Sequence, residues 1–430
     1  MRRGPSWELL ALPLAVALAP GCGDGGGAMP PPGFDGGPRD TGGGDAASTS
    51  DAGDAGGGQD AGPPTCAFDP DGDLVELGTD VAGLERRVAL APGSDGVLAV
   101  WVQNDGSSAD VFSRFVPPSG EPPEVEAVAD DDSLARDPAV ARVGTGFVAA
   151  WVDNSEGTFE VMARPLDPAG SPDGAVVPVT DNALREAAVA LTGFDDGALV
   201  AWIEEDTSSG ERTLRLQRLD ASGSPTGTAS PVRTGAALSQ PALTAATDAG
   251  VLAWVEGDRV AVQALDEDGA PSGDVDFADA QMNASGTVDV AFASEGMETA
   301  GGAVVHGVRV STRNEARWRR LDAAAAVTGS ERPLTEGSVS AADPSVAPFR
   351  GGFVATYRVL SDPSADPPLL RLGLLDNAGD AVDRLDLVDA AEEGGRTTVE
   401  VGLDGHVVVG WSDTGAGTTT LRAARIRCGS

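Results

Sequence analysis

From about residue 88 onward the chain alternates short apolar runs with polar turns, and the runs recur. "GVLAVWVQND" surrounds Trp101, "GFVAAWVDNSEG" surrounds Trp151, "GALVAWIEED" surrounds Trp202 and "AGVLAWVEGD" surrounds Trp254. "GGAVVHGVRV" follows around His306, "GGFVATYRVL" around Tyr357 and "GHVVVGWSD" around Trp411. The successive centres lie 50, 51, 52, 52, 51 and 54 residues apart. A period of this length means stacked units, each burying its apolar face against the next. Helical periodicity does not persist over any useful length.

Each unit has one internal order. A strand of small residues comes first: "DPAVAR", "EAAVAL", "QPALTA", "DPSVAP". A Gly turn leads to the aromatic strand, and a polar hairpin leads to a third strand ending in "RPLDPAG", "QRLDASG", "QALDEDG" or "LLDNAG". Asp and Gly suit a tight turn there, because Asp bonds locally to backbone and Gly accepts positive φ. A fourth strand closes the unit, as in "VVPVTD" or "ERPLTE". Four short strands per unit predict an all-β, seven-bladed β-propeller of four-stranded antiparallel blades over residues 66–430. The small first strand suits the crowded axis, and ring closure removes exposed sheet edges.

The seventh unit is incomplete. After Trp411 only a third strand remains, "TTTLRAARIRCGS", whereas "CAFDPDGDLVELGTD" stands unpaired before the first unit. The N-terminal strand is therefore expected to complete the last blade. Aligned on the repeat, Cys428 falls at the turn Asp and Cys66 just beyond, which predicts a Cys66–Cys428 disulfide in place of the missing hairpin. Two buried free thiols are the alternative. An exported location permits the bond, and a closed ring predicts a monomeric propeller.

The N-terminus supplies that location. In "MRRGPSWELLALPLAVALAPGC", two arginines precede an apolar run too short to span a bilayer. The pattern resembles a bacterial lipoprotein signal, with residues 1–21 removed and Cys22 lipidated. Ala19 stands where such signals usually carry Leu. A cut after "ALA" at Ala17–Ala19 is the rival reading, disfavoured by Pro20. Residues 22–65 then form a Gly/Asp/Pro-rich tether with little to bury, expected to be disordered and to span about 35 Å. The implied location is the bacterial cell envelope, outer membrane or cell surface, with the membrane as a partner through the lipid.

Charge narrows the partners. The 67 acidic and 29 basic residues give a net charge of −38, and every basic residue is arginine. Nucleic acid is excluded as a partner, because phosphate binding needs clustered basic residues.

The "GFVAAW…RPLDPAG" repeats together resemble those of secreted and surface bacterial propeller proteins, here in a seven-bladed lipoprotein. The resemblance covers nearly the whole mature chain. It implies a fold, not an activity, because propellers serve as enzymes, receptors and scaffolds.

The search for chemistry returns little. Five tryptophans sit at the repeat position, which makes them core. Tyr357 and His306 replace the repeat Trp and read as buried structural residues. His406 lies in a turn, so no Ser-His-Asp set is assembled. Arg or Gln recurs before the turn at Arg114, Arg164, Gln217, Gln263, Arg319 and Arg425, which reads as a bond to the neighbouring blade. Asp69, Asp71 and Asp73 alternate in "DPDGD", a spacing that admits calcium, although the twelfth position lacks the Glu of a calcium loop. The hairpins between second and third strands share one face with the links between blades. They carry Asp105, Asp153, Glu156, Glu204, Glu205, Asp206, Glu256, Asp258 and Asp413, a face for solubility or for a cationic ligand. The fifth unit is irregular, which points to Glu295, Glu298, Arg313 and Arg317.

These readings favour a non-enzymatic binding or scaffold module for an envelope protein or polysaccharide, with no catalytic residue assigned. An extracellular polysaccharide hydrolase or lyase using funnel carboxylates is the first alternative. A calcium-dependent adhesin is the second. No cofactor other than calcium is expected. An enzyme should concentrate irregular residues at the funnel, whereas a scaffold can keep seven similar blades.

Overall fold

The computed structural model describes residues 66–429 apart from 70–71, 80–86, 105–107, 132, 156, 247–248, 280–283, 294–300, 336–338, 362–368, 377–379, 390–395 and 416–417. The expected leader, Cys22 and the tether lie outside the described residues, as do Asp71, Asp105, Glu156, Glu295 and Glu298.

Seven antiparallel sheets follow one another along the chain, numbered here blades I to VII. Their first strands are Val88–Gly93, Arg136–Val143, Arg185–Phe194, Leu238–Ala246, Ala284–Ala293, Ser340–Phe349 and Thr398–Val401. Each packs against the first strand of the next blade, and Thr398–Val401 returns against Val88–Gly93. The ring is thus a seven-bladed β-propeller, with the remaining strands of blades I to VI following outward in chain order.

Blade VII is split. Its second and third strands, Val407–Gly415 and Thr418–Cys428, take Leu74–Gly78 as an outer partner, with Leu74 opposite Ala424. Cys66 lies opposite Cys428 and is bonded to it across 362 residues of sequence. Arg427 forms an ion pair with Asp73 at 2.7 Å, which ties the two ends further. One detail of the alignment shifts. Trp151 pairs with Met162 and Trp411 with Arg422, so Arg427, not Cys428, stands at the level of Asp167. Pairing across the hairpin fixes this equivalence. By the same count Ala424, not Arg425, matches Arg164.

The aromatic strands form the core between blades. Trp101, Trp151, Trp202 and Trp254 are at most 1% exposed, and Tyr357 and Trp411 reach 2%. Trp151 packs in one cluster with Leu98 and Val100 of blade I. Tyr357 donates its hydroxyl to Leu334 O, so its polar tip is satisfied in the interior. The recurrent Arg reaches the preceding blade: Arg114 donates to Glu76 O, Arg164 to Val128 O and Arg319 to Ala278 O. Gln217 and Gln263 instead donate within their own blades, to Thr226 O and Gly273 O. Asp167 accepts from Ala169 N and Ser171 N in its turn. Gly170 there has φ 90°, and a Cβ on it would stand 2.4 Å from Leu98 of blade I. Both the turn and the blade contact therefore require glycine.

First strands in blades II to VI carry a bulge, where register shifts by one or more residues. At four of these bulges a non-glycine residue adopts positive φ: Asp137, Ala188, Gln240 and Asp343. Asp137 uses the bulge to accept from Ala188 N of blade III at 2.8 Å. The bulge bends each inner strand along the axis and sets which side chains reach it.

Candidate functional site in the axial tunnel

A cavity of about 440 Å³ runs along the axis, lined by the first strands of all seven blades. Its lining has two tiers. The upper tier comprises the residues paired with the one just before each repeat aromatic: Ala89, Ala139, Ala190 and Ala242 in blades I to IV. In blades V to VII the same level holds Asp289, Ser345 and Thr398. Two residues further along, the lower tier holds Ala91, Ala141, Thr192, Thr244, Ala291 and Ala347, then Glu400 in blade VII. The upper tier is therefore alanine on blades I to IV and acidic or hydroxylic on blades V to VII, whereas the lower tier mixes Ala with Thr192 and Thr244 and has Glu400 as its one acid. The sevenfold pattern breaks here on adjacent blades.

The polar wall is built by the free edges of the inner strands, whose inward N–H and C=O groups lack a strand partner. Asp289 Oδ2 accepts from Ser345 Oγ at 2.6 Å and from Val346 N at 3.1 Å. Ser345 Oγ in turn accepts from Val399 N at 3.1 Å. Thr398 Oγ1 donates to Val88 O, and Thr397 Oγ1 donates to Asp343 O. Each of these side chains ties one blade's tunnel edge to another's.

Two carboxyls on this wall are perturbed. Burial pushes the Asp289 carboxyl up, against the opposing pull of Ser345, Val346 and the Arg87 charge. Burial pushes Glu400 up to about 8, and the nearby Asp289 charge adds to the rise. Both follow from the cost of holding a charge away from bulk water. Glu400 accepts one hydrogen bond, from Val401 N at 2.9 Å, and no other group pairs with it among the described residues. Arg87 lines the cavity where it meets a small pocket of about 30 Å³ containing Asp343, Arg396 and Thr397. Its Nε is buried without a hydrogen-bond partner.

The link face differs in character. Glu204 pairs with Arg215 at 2.8 Å, Glu205 with Arg212, Glu256 with Arg233 and Asp413 with Arg422. Asp153 is buried and accepts from Ser133 Oγ. Asp206 is held in a turn by Ser208 and Ser209, whose hydrogen bonds bring its carboxyl down to about 2. Asp258 is exposed. Much of the face thus carries its charge in local pairs and turns. Asp73 accepts from Asp69 N and pairs with Arg427. Among the described residues no group of three or more metal-ligating side chains is arranged to hold an ion.

In blade V, His306 is fully buried with Nε2 3.2 Å from Glu331 Oε1. Glu331 also pairs with Arg317, which pairs with Glu315, which pairs with Arg313. Despite burial, the His306 and Arg317 side chains beside it hold the Glu331 carboxyl below its ordinary range. Arg313 and Arg317 are thus brought into an ion-pair chain that runs inward to His306.

Asp289 and Glu400 escaped the sequence analysis. The signal lay in "VDVAFASEG" and "TTVEVGLDG", where an acid stands at a level otherwise filled by Ala or Thr.

No protein-family model and no curated protein matches the sequence. Among solved structures the chain is similar to the Dos1 propeller, at 10% identity and TM-score 0.44, over 82% of this chain and 97% of that one. It is similar to TolB from Acinetobacter baumannii at 12% identity and TM-score 0.38, over 79% and 80%. It is also similar to an endo-arabinase from Bacteroides thetaiotaomicron at 10% identity and TM-score 0.33, over 81% and 96%.

Proposed function

We propose that this chain is a lipid-anchored envelope protein whose propeller is a non-enzymatic binding module for an envelope protein or polysaccharide, with the axial tunnel as its ligand site. One observation carries the reading. Asp289, Ser345, Thr398 and Glu400 depart from the repeat on one wall of one cavity, while the acids of the link face are largely engaged by arginines and turns. Anchoring rests on the leader and Cys22, and is tested by whether Cys22→Ala releases the protein from membranes.

The binding role is tested by capture from envelope extract on the immobilised protein, beside the Arg87→Ala variant. A component retained intact by the wild type and lost by the variant supports the module. Nothing retained, or a polymer returned as shortened fragments, overturns it.

The second reading is a polysaccharide hydrolase, and one observation favours it. Glu400, protonated near neutral pH, shares a wall with Asp289, and such a pair can divide acid and base roles. Asp289 spends its oxygens on Ser345, Val346 and Val290, which ranks this reading second.

A further inference from the structure

We propose that the tunnel binds a linear aliphatic primary amine, its ammonium on the Glu400 and Asp289 wall and its hydrocarbon body along the alanines of blades I and II. This rests on the reading that the tunnel is the ligand site, and it names the chemistry of the ligand.

Three features lead there. The cavity, of about 440 Å³, presents alanine at both levels on blades I and II (Ala89, Ala91, Ala139 and Ala141), and carries the Asp289 and Glu400 carboxyls with the Ser345 and Thr398 hydroxyls on blades V to VII. That division matches a molecule with an alkyl body and a charged, hydrogen-bonding end. Glu400 has an oxygen with no partner among the described residues, because its one hydrogen bond comes from Val401 N. The whole chain carries a net charge of −38, a field that draws cations to the surface and opposes anions.

The charged groups lining the cavity are Arg87, Arg142, Asp289 and Glu400. Arg142 donates its Nε to Gly144 O. Arg87 contributes its charge to Asp289, which also holds three hydrogen bonds. Glu400 is left to keep its own proton, since nothing else compensates a charge there. An ammonium supplies that compensation. Below about pH 8 the exchange is balanced: the Glu400 acid and the ammonium form a carboxylate–ammonium pair and release one proton to solvent. Affinity should therefore rise about tenfold per pH unit up to the Glu400 value and level off above it.

n-Butylamine is the probe, titrated calorimetrically into the purified protein at several pH values, in two buffers of different ionisation heat. Expected are binding near pH 8, release of about one proton near pH 6, and no binding of the uncharged isostere 1-butanol. The Glu400→Gln variant, which keeps size and shape, should lose the proton release and bind at least about tenfold more weakly. Absence of binding near pH 8, equal binding of 1-butanol, or an unchanged proton release in Glu400→Gln would each overturn the assignment. Envelope capture repeated with n-butylamine as competitor separates the two levels. A component lost in Arg87→Ala but not displaced by n-butylamine removes the amine and leaves the binding module standing. n-Butylamine binding with no component captured removes the envelope partner and leaves the amine site.

Discussion

At Glu400 a carboxyl takes the place of the methyl that Ala91, Ala141, Ala291 and Ala347 present at the same level. Its ionisation is opposed by burial, so the folded state holds the proton more tightly than the unfolded chain does. The folded value, about 8, lies above the ordinary glutamate value of 4.5. Stability from this group is therefore complete below the ordinary carboxylate range and is lost as pH rises toward about 8. Glu186, raised to about 7 mainly by burial, slopes the same way. Urea midpoints measured at about pH 5 and about pH 8 should fall with rising pH, and Glu400→Gln should remove about 2–4 kcal/mol of that fall. An identical slope in the variant would show that Glu400 ionises freely in the fold. Neither Glu400 nor its tunnel neighbour Asp289 was legible as a site residue, because each looks like one polar position in a bland strand. Their proximity exists only once the ring brings blades V and VII to one wall.

At the level of the strand, blade V shows what happens when the repeat aromatic is lost. His306 cannot fill the space of a Trp by apolar contact alone, and Glu331, Arg317 and Glu315 bring charge into the interblade region. Removing one member strands the others without water. Glu331→Ala should destabilise by about 3–5 kcal/mol in chemical unfolding, more than an exposed ion pair would. A loss below about 1 kcal/mol would mean the network is solvated. Trp151→Ala, a plain cavity between blades I and II, should also cost about 3–5 kcal/mol. The strands themselves were legible, since period-two runs bounded by Gly and Asp turns encode them locally. The cross-blade role expected of the recurrent Arg or Gln holds for Arg114, Arg164 and Arg319 but not for Gln217 and Gln263, whose shorter amides bond within their own blades. The bulges were not legible, as they arise where inner strands bend around the axis.

For the whole molecule, seven blades and the split seventh were read from one period and two cysteines. Only the register of the last strand moved, by one residue at both Cys428 and Arg425, because hairpin pairing outranks motif likeness. The Cys66–Cys428 bond closes a loop of 362 residues of separation, so its reduction should lower stability by about 2–5 kcal/mol. Thermal midpoints with and without a thiol reductant test this, and an unchanged midpoint would deny the bond a role in closure.

That split seam also fixes an order of events. Leu74–Gly78 is among the first segments of the propeller to be made, yet its partner, Thr418–Cys428, is made last. At ordinary synthesis rates the early strand waits roughly 20–70 s for its mate. Until then the molecule is an open arc with two raw ends, and a prematurely terminated chain never progresses past that stage. The seam acts as a proofreader of the ring: only a chain that has reached Cys428 can be locked to Cys66 by an oxidant.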